Sequence, residues 1–185
     1  MMKEGGTGGA HTITGLRFEQ KTDLLKLLSQ IDGYTVEPDR RGAGQRLLFQ
    51  GRLVARCFKK YKFYKFLHEE NVDWQQKVSS RLLPDDAILV IQIRTLFIVE
   101  VKFQKTPGSV DEKLQTCDFK RRQYMKLVDG LGLTVKYVYV LNDWFRDPGY
   151  RDVLEYIRSV DCHYVFGELP LAWLGLPATA GDGRR

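Results

Sequence analysis

Two apolar runs, Ala87–Ile93 and Thr95–Phe103, constrain this chain more than any other feature. Both are rich in Ile, Leu and Val, and they meet tightly around Gln92–Thr95, so they predict two central strands of a hairpin. Into the second run are set Glu100 and Lys102. Such side chains are almost never fully buried unless paired. Residues two apart on a strand share a face, so Glu100 and Lys102 project together while Val99 and Val101 point the other way. Upstream, Pro84-Asp85-Asp86 puts a carboxylate at the start of the first strand. In a hairpin, Asp85 comes beside Glu100.

Asp85, Glu100 and the backbone carbonyl of Val101 would suit a hard cation such as Mg²⁺, with Mn²⁺ as a substitute. A cation there offsets charge on a phosphate and activates its bound water. Lys102 could orient or deprotonate that water and stabilise developing charge. The plainer reading is a structural Glu–Lys pair with Asp85 as a turn or cap residue. Gln104, on the face of Lys102, either holds a water or phosphate or is a solvent-exposed strand end.

The flanking pattern predicts the rest of the fold. Residues 5–9, Gly-Gly-Thr-Gly-Gly, read as a mobile arm, since a phosphate-binding loop would need a preceding strand and a Gly-Lys-Ser/Thr ending. Leu16, Leu24, Leu27, Leu28 and Ile31 recur at helical spacing, predicting one amphipathic helix from Thr14 to Ile31 with Glu19 in its first half. Short strands follow at Tyr34–Glu37, Arg46–Gln50 and Leu53–Phe58, with a polar loop carrying Arg40 and Arg41. Ser109 and Glu112 form a capping box that opens a helix reaching about Val128. A strand at Thr134–Leu141, a helix over 150–160 and a strand at Tyr164–Phe166 complete the series. The order implies a single α/β domain over 1–185, with a mixed central β-sheet flanked by helices. No internal repeat or dividing linker interrupts it.

Composition narrows the function classes. A hydrophobic fraction of 43% and an aromatic fraction of 12% are those of a globular chain. No run of eighteen apolar residues exists and the N-terminus does not read as a secretory signal. Cys57, Cys117 and Cys162 are scattered and odd in number, which predicts thiols in a reducing cytoplasm. His68-Glu69 begins a zinc-protease pattern, but Val72 stands where its second histidine belongs. The net charge of +6 mildly favours a polyanionic partner.

Pro84-Asp85 with Glu100-Val101-Lys102 resembles the signature of the PD-(D/E)xK nuclease superfamily. The element order resembles that superfamily's restriction-endonuclease-like core, which would cover about residues 14–141: a first helix, three antiparallel strands, a crossing helix and a fourth strand. The opening Thr14-Gly15-Leu16-Arg17-Phe18-Glu19 resembles first helices of restriction-type members, where the glutamate can join the metal region. The short chain resembles type II restriction endonucleases more than repair nucleases. The resemblance implies Mg²⁺-dependent DNA hydrolysis leaving 5′-phosphate and 3′-hydroxyl ends. Two departures are evident. Gln123 and Tyr124 are adjacent, so the Gln-x-x-x-Tyr motif of the RecB-like branch is missing, and Asp86 rivals Asp85 as ligand, with Asp85 preferred for its place after proline.

Double-stranded DNA is thus the expected partner. Lys59, Lys60, Lys62 and Lys65 alternate with Tyr61, Phe63, Tyr64 and Phe66. The lysines suit phosphates, while the aromatics either stack on bases or pack in the core. Lys120 of the crossing helix could touch the DNA backbone, and Arg40, Arg41, Gln45, Arg46, Asn142, Arg146 and Arg151 could reach base edges. A palindromic target would call for a homodimer. A structure-specific repair or junction-resolving nuclease and a non-catalytic DNA-binding module are the alternatives.

Overall fold

The computed structural model describes residues 15–18, 23–106 and 110–178. Its strands are β1 (Gly15–Arg17), β2 (Tyr34–Pro38), β3 (Gln45–Phe49), β4 (Arg52–Phe58), β5 (Asp86–Val90), β6 (Thr95–Lys102), β7 (Thr134–Leu141), β8 (His163–Phe166) and β9 (Glu168–Pro170). Its helices are α1 (Leu24–Ser29), α2 (Tyr61–Glu69), α3 (Val110–Leu114), α4 (Cys117–Val128) and α5 (Arg151–Ser159). Strands β2 to β8 form one seven-stranded sheet in chain order. Pairing is antiparallel from β2 to β6, then parallel from β6 to β7 and from β7 to β8. The expected mixed α/β sheet is therefore present.

Local chemistry explains the turns. Between β3 and β4, Gln50 and Gly51 both have positive φ (49° and 78°), as the tightest hairpins require. The β5–β6 turn ends at Arg94, also at positive φ. Its guanidinium donates to the Leu131 and Gly132 carbonyls at 2.7 and 3.1 Å, tying the hairpin tip to the loop after α4.

Each face of the sheet carries its own core. One packs Ala87, Leu89, Leu96, Ile98, Tyr137 and Tyr139 against residues of α2, α4 and α5. The other packs Ile88, Val90, Phe97, Val99, Val138 and Val140 against α1, β1 and the segment after β8. These are called here the α4 face and the α1 face.

Two expectations need correction. The helix predicted from Thr14 to Ile31 begins only at Leu24, where the Asp23 carboxylate accepts the Leu25 N–H at 2.9 Å. Leu16 lies instead in β1, paired with Leu169. Leu16 fits a helix through its eight-residue spacing to Leu24 and a strand through Phe18 two residues on, and the ladder to β9 decides for the strand. The crossing helix is two pieces, because the Thr116 hydroxyl donates to the Lys113 carbonyl at 2.7 Å and competes with helix continuation. Ser109, Glu19 and the 5–9 arm lie outside the described residues.

Candidate functional site

The β5–β6 register fixes which carboxylates meet. Its last pair is Asp86 with Val99, so Glu100 stands just past the point where the two strands part. Asp85 precedes that pair, at the bend just outside β5, and continuing the alternation of Ala87 and Leu89 would put it on the α4 face. Glu100 and Lys102 continue the same face from Leu96 and Ile98. Burial raises the Tyr124 phenol most, and the charges of both Glu100 and Asp85 raise it further.

Glu100 is the centre of the site and is only 6% exposed. Its carboxylate takes Lys102 Nζ at 3.0 Å on Oε2 and Lys120 Nζ at 2.9 Å on Oε1. The Tyr137 hydroxyl donates to Oε1 in a short hydrogen bond. Burial works to raise the Glu100 pKa, but Lys102, Lys120 and the Tyr137 hydroxyl outweigh it and hold the carboxyl below its usual range. It is therefore a buried, ionised carboxylate with two cations. Asp85 is nearly half exposed and pairs with Lys60 Nζ at 3.2 Å. Three ammonium groups thus face two carboxylates on this side of the sheet.

Gln104 lies two residues beyond Lys102, past the end of β6. Its backbone is clasped by Asn142, whose side chain accepts the Gln104 N–H at 3.1 Å and donates to its carbonyl at 2.7 Å. The Gln104 side chain is buried, and neither amide atom has a hydrogen-bond partner. It is not the solvent-exposed strand end that was one of its two expected roles. A buried amide without partners is costly, and an added ligand or water would satisfy it.

Asp86 has a different setting. It points to the α1 face, buried, beside Lys59 at 3.5 Å. Lys59 also holds Asp23 at 2.6 Å. Burial pushes Asp86 up to about 6, Lys59 opposes the rise and Asp23 adds to it. Asp86 and Lys59 therefore do not join Glu100, which separates Asp85 from its rival by geometry.

Of the other expected DNA contacts, Lys120 reaches the site, whereas Lys62 donates to the Gly42 carbonyl at 3.2 Å and Lys65 lies near Gly42. Arg40 and Arg41 line a cavity of about 500 Å³ together with Leu89, Ile91 and Arg94, at the hairpin-tip end of the sheet. Arg41 lies 3.6 Å from Glu70. The aromatics of the basic run divide: Phe63, Tyr64 and Phe66 are core, while Tyr61 is exposed. Sequence reading missed Tyr137, because its contact with Glu100 depends on the parallel β6–β7 pairing across 37 residues.

Among the described residues no group of three or more His, Cys, Asp or Glu side chains is placed to hold a metal. Mg²⁺ does not require one, since it commonly binds through one or two carboxylates and completes its shell with water and substrate phosphate. Asp85 and Glu100 are the carboxylates available for such a donor set, and the Glu100 oxygens are taken up by Lys102, Lys120 and Tyr137. No protein-family model, curated protein or solved structure matches the chain. Among the described residues, no helix is long and apolar enough to cross a membrane.

Proposed function

We propose that this chain is a Mg²⁺-dependent DNA endonuclease of the PD-(D/E)xK kind, a type II restriction enzyme acting on duplex DNA as a homodimer. The observation that carries the reading is Glu100: a buried carboxylate kept ionised between Lys102 and Lys120, where β5 and β6 part, with Asp85 on the same face. A core ion pair made only for stability gains little, because desolvation offsets attraction. A carboxylate held ready with surplus cations makes sense where a metal and a phosphate are to be received.

Asp85 and Glu100 would hold the metal, with the Val101 carbonyl as the further oxygen, and the metal would offset phosphate charge and acidify a bound water. Lys102 Nζ, 3.0 Å from Glu100, is placed to exchange its carboxylate contact for a contact with the phosphate or the attacking water. Lys120 gives a second positive charge from α4 and stabilises the negative charge that builds on the phosphate oxygens. Tyr137 keeps Glu100 oriented as those lysines turn to substrate.

The test is direct. Purified protein is incubated with plasmid DNA and Mg²⁺, then with EDTA, and the assay is repeated with Lys102→Ala. The expected result is cleavage to 5′-phosphate and 3′-hydroxyl ends that EDTA or the substitution abolishes. Cleavage surviving either change overturns the mechanism. Discrete fragments from linear duplex support the restriction reading, while cutting confined to branched DNA favours a junction-resolving enzyme.

A further inference from the structure

We infer that the cavity on the outer side of α2 docks one unpaired nucleobase of the nucleic acid cut at the carboxylate–lysine site, a proposal that rests on the nuclease reading above. The cavity is about 580 Å³ and is bounded by Tyr61, Tyr64, Trp74 and Arg81. The Arg81 guanidinium stands 4.7 Å from the Trp74 ring centre, 5.5 Å from that of Tyr64 and 5.9 Å from that of Tyr61. Among the described residues no carboxylate pairs with Arg81, an exposed residue whose guanidinium stands over aromatic faces. The one acid of the wall, Asp73, already accepts the Gln75 N–H at 3.1 Å and the Gln76 amide at 3.0 Å. Lys65 and His68 add donors, and Asn71 and Gln75 bring amides suited to a base edge.

The two sides of this cage differ in rigidity. Tyr64 is buried, its ring meets Trp74 edge-on at 5.4 Å, and its hydroxyl accepts the Leu82 N–H at 2.8 Å. Tyr61 is 62% exposed, in the first turn of α2. A flat base between Tyr61 and Arg81 would need two stacking layers, about 7 Å. The present 5.9 Å opens to that by a small outward swing of the exposed Tyr61 ring. Arg81 then becomes the other planar face, as guanidinium groups do for splayed bases.

Position ties the cage to the cut. Arg81 and Asp85 are four residues apart, with Leu82 between them pinned by Tyr64. Four residues span at most about 14 Å, roughly four stacked nucleotides at 3.4 Å each. Tyr61 follows directly on Lys60, which holds Asp85. A base inside a duplex has both faces covered, so only one that is displaced or unpaired can enter.

The experiment is done in EDTA, where no cutting occurs, with the whole protein and two probes: hexathymidylate and an abasic oligomer of equal length and charge. Quenching of tryptophan fluorescence and anisotropy report binding. Stacking on an aromatic ring predicts that the wild type prefers hexathymidylate about tenfold. Tyr61→Ala should erase that preference while leaving abasic binding as it was, and Tyr61→Phe should restore it. Equal affinity for the two probes, no binding of either, or a preference that survives Tyr61→Ala overturns the proposal. Such a failure leaves plasmid cleavage in Mg²⁺ standing, whereas absent cleavage overturns the nuclease reading without touching the stacking result.

Discussion

Asp85 and Asp86 are neighbours in sequence with opposite surroundings. On the α4 face, Asp85 and Glu100 meet Lys60, Lys102 and Lys120, and Glu100 is held ionised. On the α1 face, Asp86 and Asp23 share the single Lys59, and burial pushes Asp86 up to about 6. In the first of these groups the cations outnumber the carboxylates, and in the second they do not. An incoming phosphate is electrostatically welcome at the first and repelled at the second. Strand alternation produces this contrast from one backbone step.

The largest test of the contrast is activity. Glu100→Gln removes the charge that fixes two lysines, and cleavage should fall about 100- to 1000-fold or more. Asp86→Asn should leave the cleavage rate unchanged. Initial rates of plasmid nicking at pH 8 compare the two, and equal losses would mean that both faces serve the chemistry.

Next in size is a stability effect with a definite sign. The folded pKa of Asp86, about 6, lies above the ordinary 3.8. Its contribution to stability is therefore complete below pH 3.8 and lost as the pH rises through about 6. A shift of about two units corresponds to at most about 3 kcal/mol. Asp86→Asn should then gain on the wild type between pH 4 and 7.5, measured by urea unfolding. Glu100 has the reverse sign: its pKa is depressed below 4.5, so its contribution is present above 4.5 and lost as the pH falls through the folded value. A wild-type-to-variant difference that stays flat with pH would remove the proposed burden on Asp86.

Tyr137→Phe probes the α4 face more gently. It deletes one donor to a buried carboxylate and should cost about 1.5 kcal/mol, read as a lower urea midpoint. The acid limb of unfolding should also move to higher pH, because Glu100 loses a group that favours its charge. An unmoved acid limb would show that the lysines alone hold Glu100 ionised.

These residues also show what was legible beforehand. Glu100 and Lys102 stood out because charge inside an apolar strand needs a partner, and the hairpin placed Asp85 on their side. Strands β2 to β8 carried enough alternation or β-branching to be seen. The α1 boundary did not, since Leu16 is in helical step with Leu24 and in strand step with Phe18. Tyr137 and the sharing of Lys59 by Asp23 and Asp86 join residues distant in the chain, and local patterns carry no such information. Nor does periodicity reveal that Arg81 would close an aromatic cage.

The smallest effect divides two adjacent lysines as the faces divide two adjacent aspartates. Lys60 pairs with exposed Asp85, so Lys60→Ala should change stability by less than about 1 kcal/mol. It should nevertheless lower the salt dependence of DNA binding by about one counterion. Lys59→Ala should do the opposite. It strips the cation from Asp23 and Asp86 and weakens the fold, while the salt slope stays as in the wild type. Binding isotherms at several NaCl concentrations in EDTA give both slopes. A slope that falls for Lys59→Ala as well would put DNA against both faces and dissolve the distinction on which the assignment of Asp85 over Asp86 rests.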